Sequence, residues 1–397
     1  MNGAPERPPR PPLAVLIAIS ALQPFALNVL APALPGMTRS LGTDYATLQL
    51  TLTLYLLTVA VIQLVAGPIS DRIGRRPCIL AGTALFMAGS LLGAAATQIE
   101  TLIAARVVQA VGSGTAFILA RAVVRDVAPK NEAASLIGYI AMVMVLSPMA
   151  APLLGGFIDA EFGWRAIFIA MLVLAAPVLV GVFWFLHETA PRTGAGSILQ
   201  VFRGFPLLGR NRSFVGYTLA LAFSTGNFFL LLGGAPYVVV ETMGQSPAVY
   251  GAFFIANGAG YMVGNFVSGR YGQRLGSERL IIFGVVVSAL SVFLELPFVL
   301  TGWWTPATLF LPLSVNAIGN GMTIPGGMAS ALSVRPDLAG TAAGLTGATQ
   351  LGVGALASMV VGYTVPLWPA SLVYLMLLTS LAACLSLWIV RPAAIRP

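Results

Sequence analysis

Charge is what this sequence has least of. Only 9% of its 397 residues are Asp, Glu, Lys or Arg, against about a quarter in a soluble domain. Such a chain does not cover a water-facing surface, so lipid is its expected solvent. Histidine is nearly absent. The single one, His187, leaves a His-based triad or metal cluster without a second member. The two cysteines, Cys78 and Cys384, lie in or beside apolar runs and read as packing residues rather than a disulfide or a metal site. No Gly-x-x-x-x-Gly-Lys-Ser/Thr segment occurs, which removes nucleotide hydrolysis by that route. No enzyme chemistry, cofactor or metal is expected, and any work must draw on a gradient.

What the chain does have is apolar length. Hydrophobic residues make up 57% of it, and runs of about 20, enough to span hydrocarbon, recur throughout. Twelve are read, at 12–34, 46–68, 77–98, 101–123, 134–158, 165–186, 213–237, 247–268, 279–300, 305–330, 339–363 and 368–390. A charged turn, Gly67 to Arg76, lies between two of them. A degenerate copy, Ser268 to Arg274, follows about half a chain later with Gly269 in place of the acid. A repeat once per half predicts an all-α integral membrane protein, with 12 transmembrane helices in two pseudo-symmetric six-helix bundles. Residues 1–190 form the first bundle, 191–212 a cytoplasmic linker and 213–397 the second.

The net charge of +8 could point to nucleic acid, but its placement points to orientation. Arg39, Arg106 and Arg165 fall in outer loops or within spans. The other basic residues, among them Arg7, Arg10, Arg72, Arg121, Lys130, Arg192, Arg203, Arg270, Arg335, Arg391 and Arg396, fall in alternate loops and both tails. The positive-inside rule puts those loops and both termini in the cytoplasm. With no basic face on a soluble fold, no nucleic-acid partner is expected. The apolar run after the Pro-rich start is long for a signal peptide and reads as an uncleaved first helix.

In the charged turn, Asp71 is placed at the start of the third span, where the helix dipole favours a carboxylate. In span four, Arg106, Gln109, Gly112 and Ser113 share one helical face. A charge within a span faces a cavity or a partner, or snorkels to the interface. Span five ends with Pro148, Pro152, Gly155 and Gly156, which bend it and allow close approach to another helix. Inward-facing polar stripes follow in the second half: Asn227 on span seven, Asn257, Tyr261 and Asn265 on span eight, Asn316, Asn320 and Thr323 on span ten, Thr346 and Gln350 on span eleven. They either glue helices together or line a pathway. With Phe25, Tyr55, Phe253 and Phe254 they would form an aromatic, amide-rich cavity suited to moderately apolar molecules. Glu295 is an acid well within a span, open to a proton-carrying or a structural role. Asp126 and Glu241 near membrane ends are read as solvated.

Gly67, Asp71, Arg72, Gly74, Arg75 and Arg76 resemble the signature loop of the major facilitator superfamily, Gly-x-x-x-Asp-Arg-x-Gly-Arg-Arg. The resemblance implies a cytoplasmic latch between bundles at Asp71, with Arg125 or Arg121 as partner. Arg106, Gln109 and Gly112 match the family's Arg-x-x-Gln-x-x-Gly run, which accompanies proton coupling. The span-five segment resembles the antiporter motif, with Ala151 at its first glycine. In span one, Pro32-Ala33-Leu34-Pro35 is similar to the bicyclomycin and chloramphenicol resistance exporters, but Asn28 stands where they have Asp. Asn does not titrate, so either the proton site has moved or coupling is lost. The resemblance implies drug efflux by proton antiport and alternating access, by a monomer in the bacterial inner membrane. The alternatives are an uncoupled exporter of a metabolite such as a sugar or amino-acid derivative, and a non-transporting scaffold or sensor.

Overall fold

The computed structural model describes the backbone of residues 10–190 and 198–390, and the side chains there apart from 130–135, 137–139, 141–145, 148, 198–203 and 273. Arg7, Arg192, Arg391 and Arg396 therefore lie outside the described residues, as do the side chains of Lys130, Pro148 and Arg203.

The chain folds into helices: α1 (Leu13–Asn28), α2 (Leu34–Leu41), α3 (Tyr45–Ile73), α4 (Arg75–Ala94), α5 (Ile99–Val127), α6 (Lys130–Phe162), α7 (Trp164–Phe185), α8 (Ile198–Gly209), α9 (Arg212–Tyr237), α10 (Pro247–Leu275), α11 (Ser277–Phe293), α12 (Leu296–Leu300), α13 (Pro306–Ser333), α14 (Ala339–Thr364) and α15 (Ser371–Leu387). Among the described residues, eight helices, some of them continued across a short break, are long and apolar enough to cross a membrane. The remaining expected runs coincide with α6, α10, α13 and α15. Helix α15 has 17 residues, and α13 carries Asn316, Asn320 and Thr323 at its middle, which dilute its apolar character. The protein is an all-α, multi-pass membrane protein. Its outer surface is apolar, with Phe157, Val173, Trp184, Phe266, Phe283 and Leu378 all exposed, as a lipid-facing surface requires.

Local chemistry sets the element ends. Asp44 caps α3 by accepting from the Thr47 backbone N–H at 2.8 Å and its hydroxyl at 2.7 Å. These bonds hold the Asp44 carboxyl below the ordinary carboxylate range. Thr305 and Thr308 form a reciprocal capping box ahead of α13, with Pro306 in its first turn. The first apolar run is not one helix. It stops at Asn28, passes through a 3-10 turn at Ala31–Ala33, and resumes as α2; Pro32 lacks the N–H that a continuous helix would need. The ninth run breaks at Leu294 and Glu295. The interval read as a linker contains α8, which packs on α9, α14 and α3.

The charged turn also differs from expectation. Gly74, with φ of 114°, makes the reversal alone. Helix α3 therefore continues through Pro68 to Ile73, and Asp71 lies in its last turn rather than at the start of α4. A carboxylate there opposes the helix dipole, and Arg75 offsets it in an ion pair at 2.6 Å.

Helices α1 to α7 pack mainly on one another, and so do α9 to α15. Glycine seams recur in both sets. A Cβ on Gly112 of α5 would overlap the Gly82 carbonyl of α4, and one on Gly319 of α13 would overlap the Gly284 carbonyl of α11. Small residues let membrane helices approach closely where no hydrophobic effect drives them together. Among the described residues, the most extensive packing between the sets is of α3 on α14 and of α6 on α10, and α2 also meets α9.

Candidate functional site

Arg106 is the centre of the candidate site. It is 2% exposed, on α5. Its Nη1 donates to Gln109 Oε1 at 2.8 Å, one helical turn on. Gln109 Nε2 donates to Ser90 Oγ of α4 at 2.8 Å. The guanidinium lies 4.2 Å from the centroid of the Tyr55 ring of α3, a cation–π contact strengthened by desolvation. The Tyr55 hydroxyl shares a hydrogen bond of 2.7 Å with Ser113. Arg106, Gln109, Ser113 and Tyr55, all expected site residues, are thus brought together. The helical spacing found three of them; Ser90 gave no sequence signal, because its partner lies on another helix.

Arg106 Nε has no hydrogen-bond partner, and no ion pair reaches the side chain among the described residues. Arg106 lines a small cavity with Leu27, Leu30, Ala31, Leu34, Thr51, Leu52 and Leu232. The cavity has only about 10 Å³ of room, roughly enough for one water. Leu232 comes from α9, so both helix sets contribute to its wall.

Asn28 is buried at the end of α1. Its Nδ2 donates to the Pro24 carbonyl at 2.7 Å, and its Oδ1 is unpartnered. Phe25 is half-buried against the core.

The second-half amides do not converge on this cavity. Asn227 donates to the Met376 carbonyl and the Ser380 hydroxyl, both at 2.8 Å on α15. Asn257 donates to the Leu313 carbonyl at 3.0 Å, joining α10 to α13. Asn316 donates to Ser288 Oγ at 2.6 Å and accepts from Asn320 at 3.2 Å, joining α13 to α11. Gln350 accepts from Thr225 at 2.9 Å, joining α14 to α9. Tyr261 is half-buried, and its carbonyl accepts from Asn265. Of the two roles open to these stripes, helix glue is the one their bonds serve. Phe253, Phe254, Phe310 and Tyr250 form a packed aromatic cluster. Glu295 is fully buried, and both its carboxylate oxygens are unpartnered among the described residues.

At the Gly74 end, Arg75 is the organiser. It is buried, pairs with Asp71 and with Asp126 at 3.2 Å, and bonds Ser70 Oγ and the Gly67 carbonyl. Asp71 is held by Arg75, one turn beyond it, while Arg125, an expected latch partner, is exposed. Arg72 is exposed as well. Arg76 donates to the Phe183 carbonyl at 2.8 Å. Asp126 is not simply solvated, since it takes both Arg75 and Thr189. Glu188, unmarked by the sequence reading, accepts from the Arg75 N–H at 2.8 Å and the Arg76 N–H at 3.3 Å, satisfying the free start of α4.

At the other end, α3 meets the second helix set. Tyr45 Oη and Gln49 Nε2 both donate to the Gly233 carbonyl, at 2.6 and 2.7 Å, and Ser358 donates to Gln49 Oε1 at 3.0 Å. Arg39 and Glu241 form an ion pair there, so Glu241 is not merely solvated. Gly156 of α6 touches Pro247 of α10, as expected of an approach to the second set. Gly155 instead fits against the Val29 carbonyl just beyond α1, within its own set. Pro152 offers its backbone to Gly251 of α10.

A buried polar network beside a cavity, walled by both sets of long apolar helices, defines a multi-pass membrane carrier. Residues 16–357 match the Major Facilitator Superfamily, and the chain belongs to that family. It is a carrier and not an enzyme. It is 31% identical over 353 residues to multidrug resistance protein D of Escherichia coli strain K12, with 87% of each chain covered. It is 29% identical over 352 residues to a bicyclomycin resistance protein homolog of Haemophilus influenzae, with 85% of each covered. The fold is also similar to that of a bacterial homolog of the human lysosomal transporter Spinster: TM-score 0.67, 16% identity, 95% of this chain and 94% of that one.

Proposed function

We propose that this family member exports small organic molecules by alternating access, with the Arg106 cavity as its central site and without a proton carried at Asn28. The single observation behind this reading is the pairing of a buried Arg106 network with an amide where the drug exporters it resembles have a titratable acid. The reading is that of an uncoupled or differently coupled metabolite exporter. In it, twelve spans form two six-helix bundles that rock about the cavity. The Tyr45–Gly233 end closes one side, and the Asp71–Arg75 corner takes part in latching the other. The basic loops face the cytoplasm of a bacterial inner membrane.

Drug export by proton antiport is the second reading. It is favoured by likeness to proteins named for multidrug and bicyclomycin resistance, with Glu295 then the candidate proton carrier. Everted vesicles energised to an acid interior and loaded with a pH dye separate the two. The first reading expects labelled-compound flux that persists when the gradient is collapsed. Alkalinisation on adding a phenicol or bicyclomycin, absent from empty-vector vesicles, would replace it with the second.

A further inference from the structure

We propose that Arg106 is the counter-ion for a negatively charged group on the transported molecule, which makes the substrate an amphipathic organic anion. The inference rests on the transport reading and names its substrate class.

The argument starts from charge balance. A guanidinium carries five N–H donors and stays ionised. Taking one out of water inside a membrane protein is costly, and such residues face a partner or a cavity. Here the partners fall short of a charge. Gln109 supplies one amide oxygen at 2.8 Å and Tyr55 one ring face at 4.2 Å. Nε remains unpartnered, and no carboxylate pairs with the side chain among the described residues. Asn28, at the position of the exporters' acid, is itself neutral and bonded to its own helix.

The cavity lining supplies the rest. Arg106 is its one charged residue, and apart from Thr51 the other side chains are aliphatic, from Leu27 and Leu30 on one side to Leu232 on the other. One cation against an aliphatic wall suits a single anionic head on an apolar body. It does not suit a phosphate ester, which calls for several donors and cations. The cavity in this conformation, about 10 Å³, is far smaller than such a molecule, so binding requires the surrounding helices to part.

The test is thermal unfolding of the purified carrier in lipid nanodiscs with naphthalene-1-sulfonate, a permanent anion, and its neutral counterpart naphthalene-1-sulfonamide. The sulfonate should raise the melting temperature and the sulfonamide should not. Arg106→Gln should lose the response, but it could also lose the fold. Gln109→Glu avoids that difficulty, because it is near-isosteric and places a carboxylate where Arg106 already donates. It should keep or raise the basal melting temperature and weaken the sulfonate at least about ten-fold. Equal shifts from both compounds, no shift from either, or an undiminished sulfonate response in Gln109→Glu would overturn the proposal. Flux of a neutral phenicol by a protein indifferent to the sulfonate would leave the transport reading standing and remove this one. Sulfonate binding without flux of any compound would keep the anion site and remove the transport reading.

Discussion

Gln49 and Gly233 are joined by a hydrogen bond of 2.7 Å from a side-chain amide to a backbone carbonyl, across the boundary between the two helix sets. Tyr45, one turn away on α3, donates to the same oxygen at 2.6 Å. A displacement of α9 that releases one bond releases both. Gln49→Ala strips Gly233 of one donor and Ser358 of its acceptor, at about 1–3 kcal/mol. Labelling of a cysteine placed at Ser358 by a water-soluble maleimide should become several-fold faster in that variant. Unchanged labelling would deny the contact a closing role.

The Arg39–Glu241 pair lies at the same end. With Cys78 and Cys384 replaced, Arg39→Cys and Glu241→Cys joined by a short bis-maleimide should abolish flux, and each single cysteine treated alike should retain it. Flux through the cross-linked protein would show that this end does not open.

Arg75 and Arg72 are neighbours in the signature turn with unlike surroundings. Arg75 is buried among Asp71, Asp126 and Ser70, whereas Arg72 is exposed. Arg75→Ala should lower stability by about 1–3 kcal/mol, while Arg72→Ala stays within about 0.5 kcal/mol. Melting temperatures of the two variants in one detergent check this; equal losses would contradict the geometry.

Asn28→Asp restores a titratable group at the position where the resembled exporters carry one. If coupling was lost through this residue, the variant's flux should acquire a pH dependence that the parent lacks. Flux in proteoliposomes between pH 5.5 and 8.5 reads it directly, and identical profiles would place the coupling difference elsewhere.

The Asp44 cap gives a pH effect with a definite sign. Its folded carboxyl titrates below the ordinary value because Thr47 donates to the charged form. The stabilisation is complete above the unfolded value of about 3.9 and is lost as pH falls through the depressed folded value. Asp44→Asn, which still caps without titrating, should flatten the acid-side loss of melting temperature that the parent shows. Equal acid sensitivity in both proteins would assign the loss to other carboxylates.

The legible part of this molecule was what lies along one helix. Spacings of three and seven residues place Arg106, Gln109 and Ser113 on one face in the sequence itself. Partners on other helices were not legible. Ser90, Gln49, Asp126 and Glu188 act across gaps of 19 to 309 residues, and nothing local marks them. The amide stripes announced burial, but which neighbouring helix each would bond depends on packing. Asp71 ends α3 rather than starting α4 because Gly74 alone turns the chain, and nothing in the charged run marks which of its residues makes the reversal.

The seams at Gly82 with Gly112, and at Gly284 with Gly319, bring backbone against backbone with no side chain between. Side chains can change rotamer and absorb a push, whereas abutting peptide groups have little to yield. A displacement at one end of such a helix pair therefore arrives at the other end nearly undiminished. The stiffness that a lever needs is supplied here by the residues that have no side chain to bend.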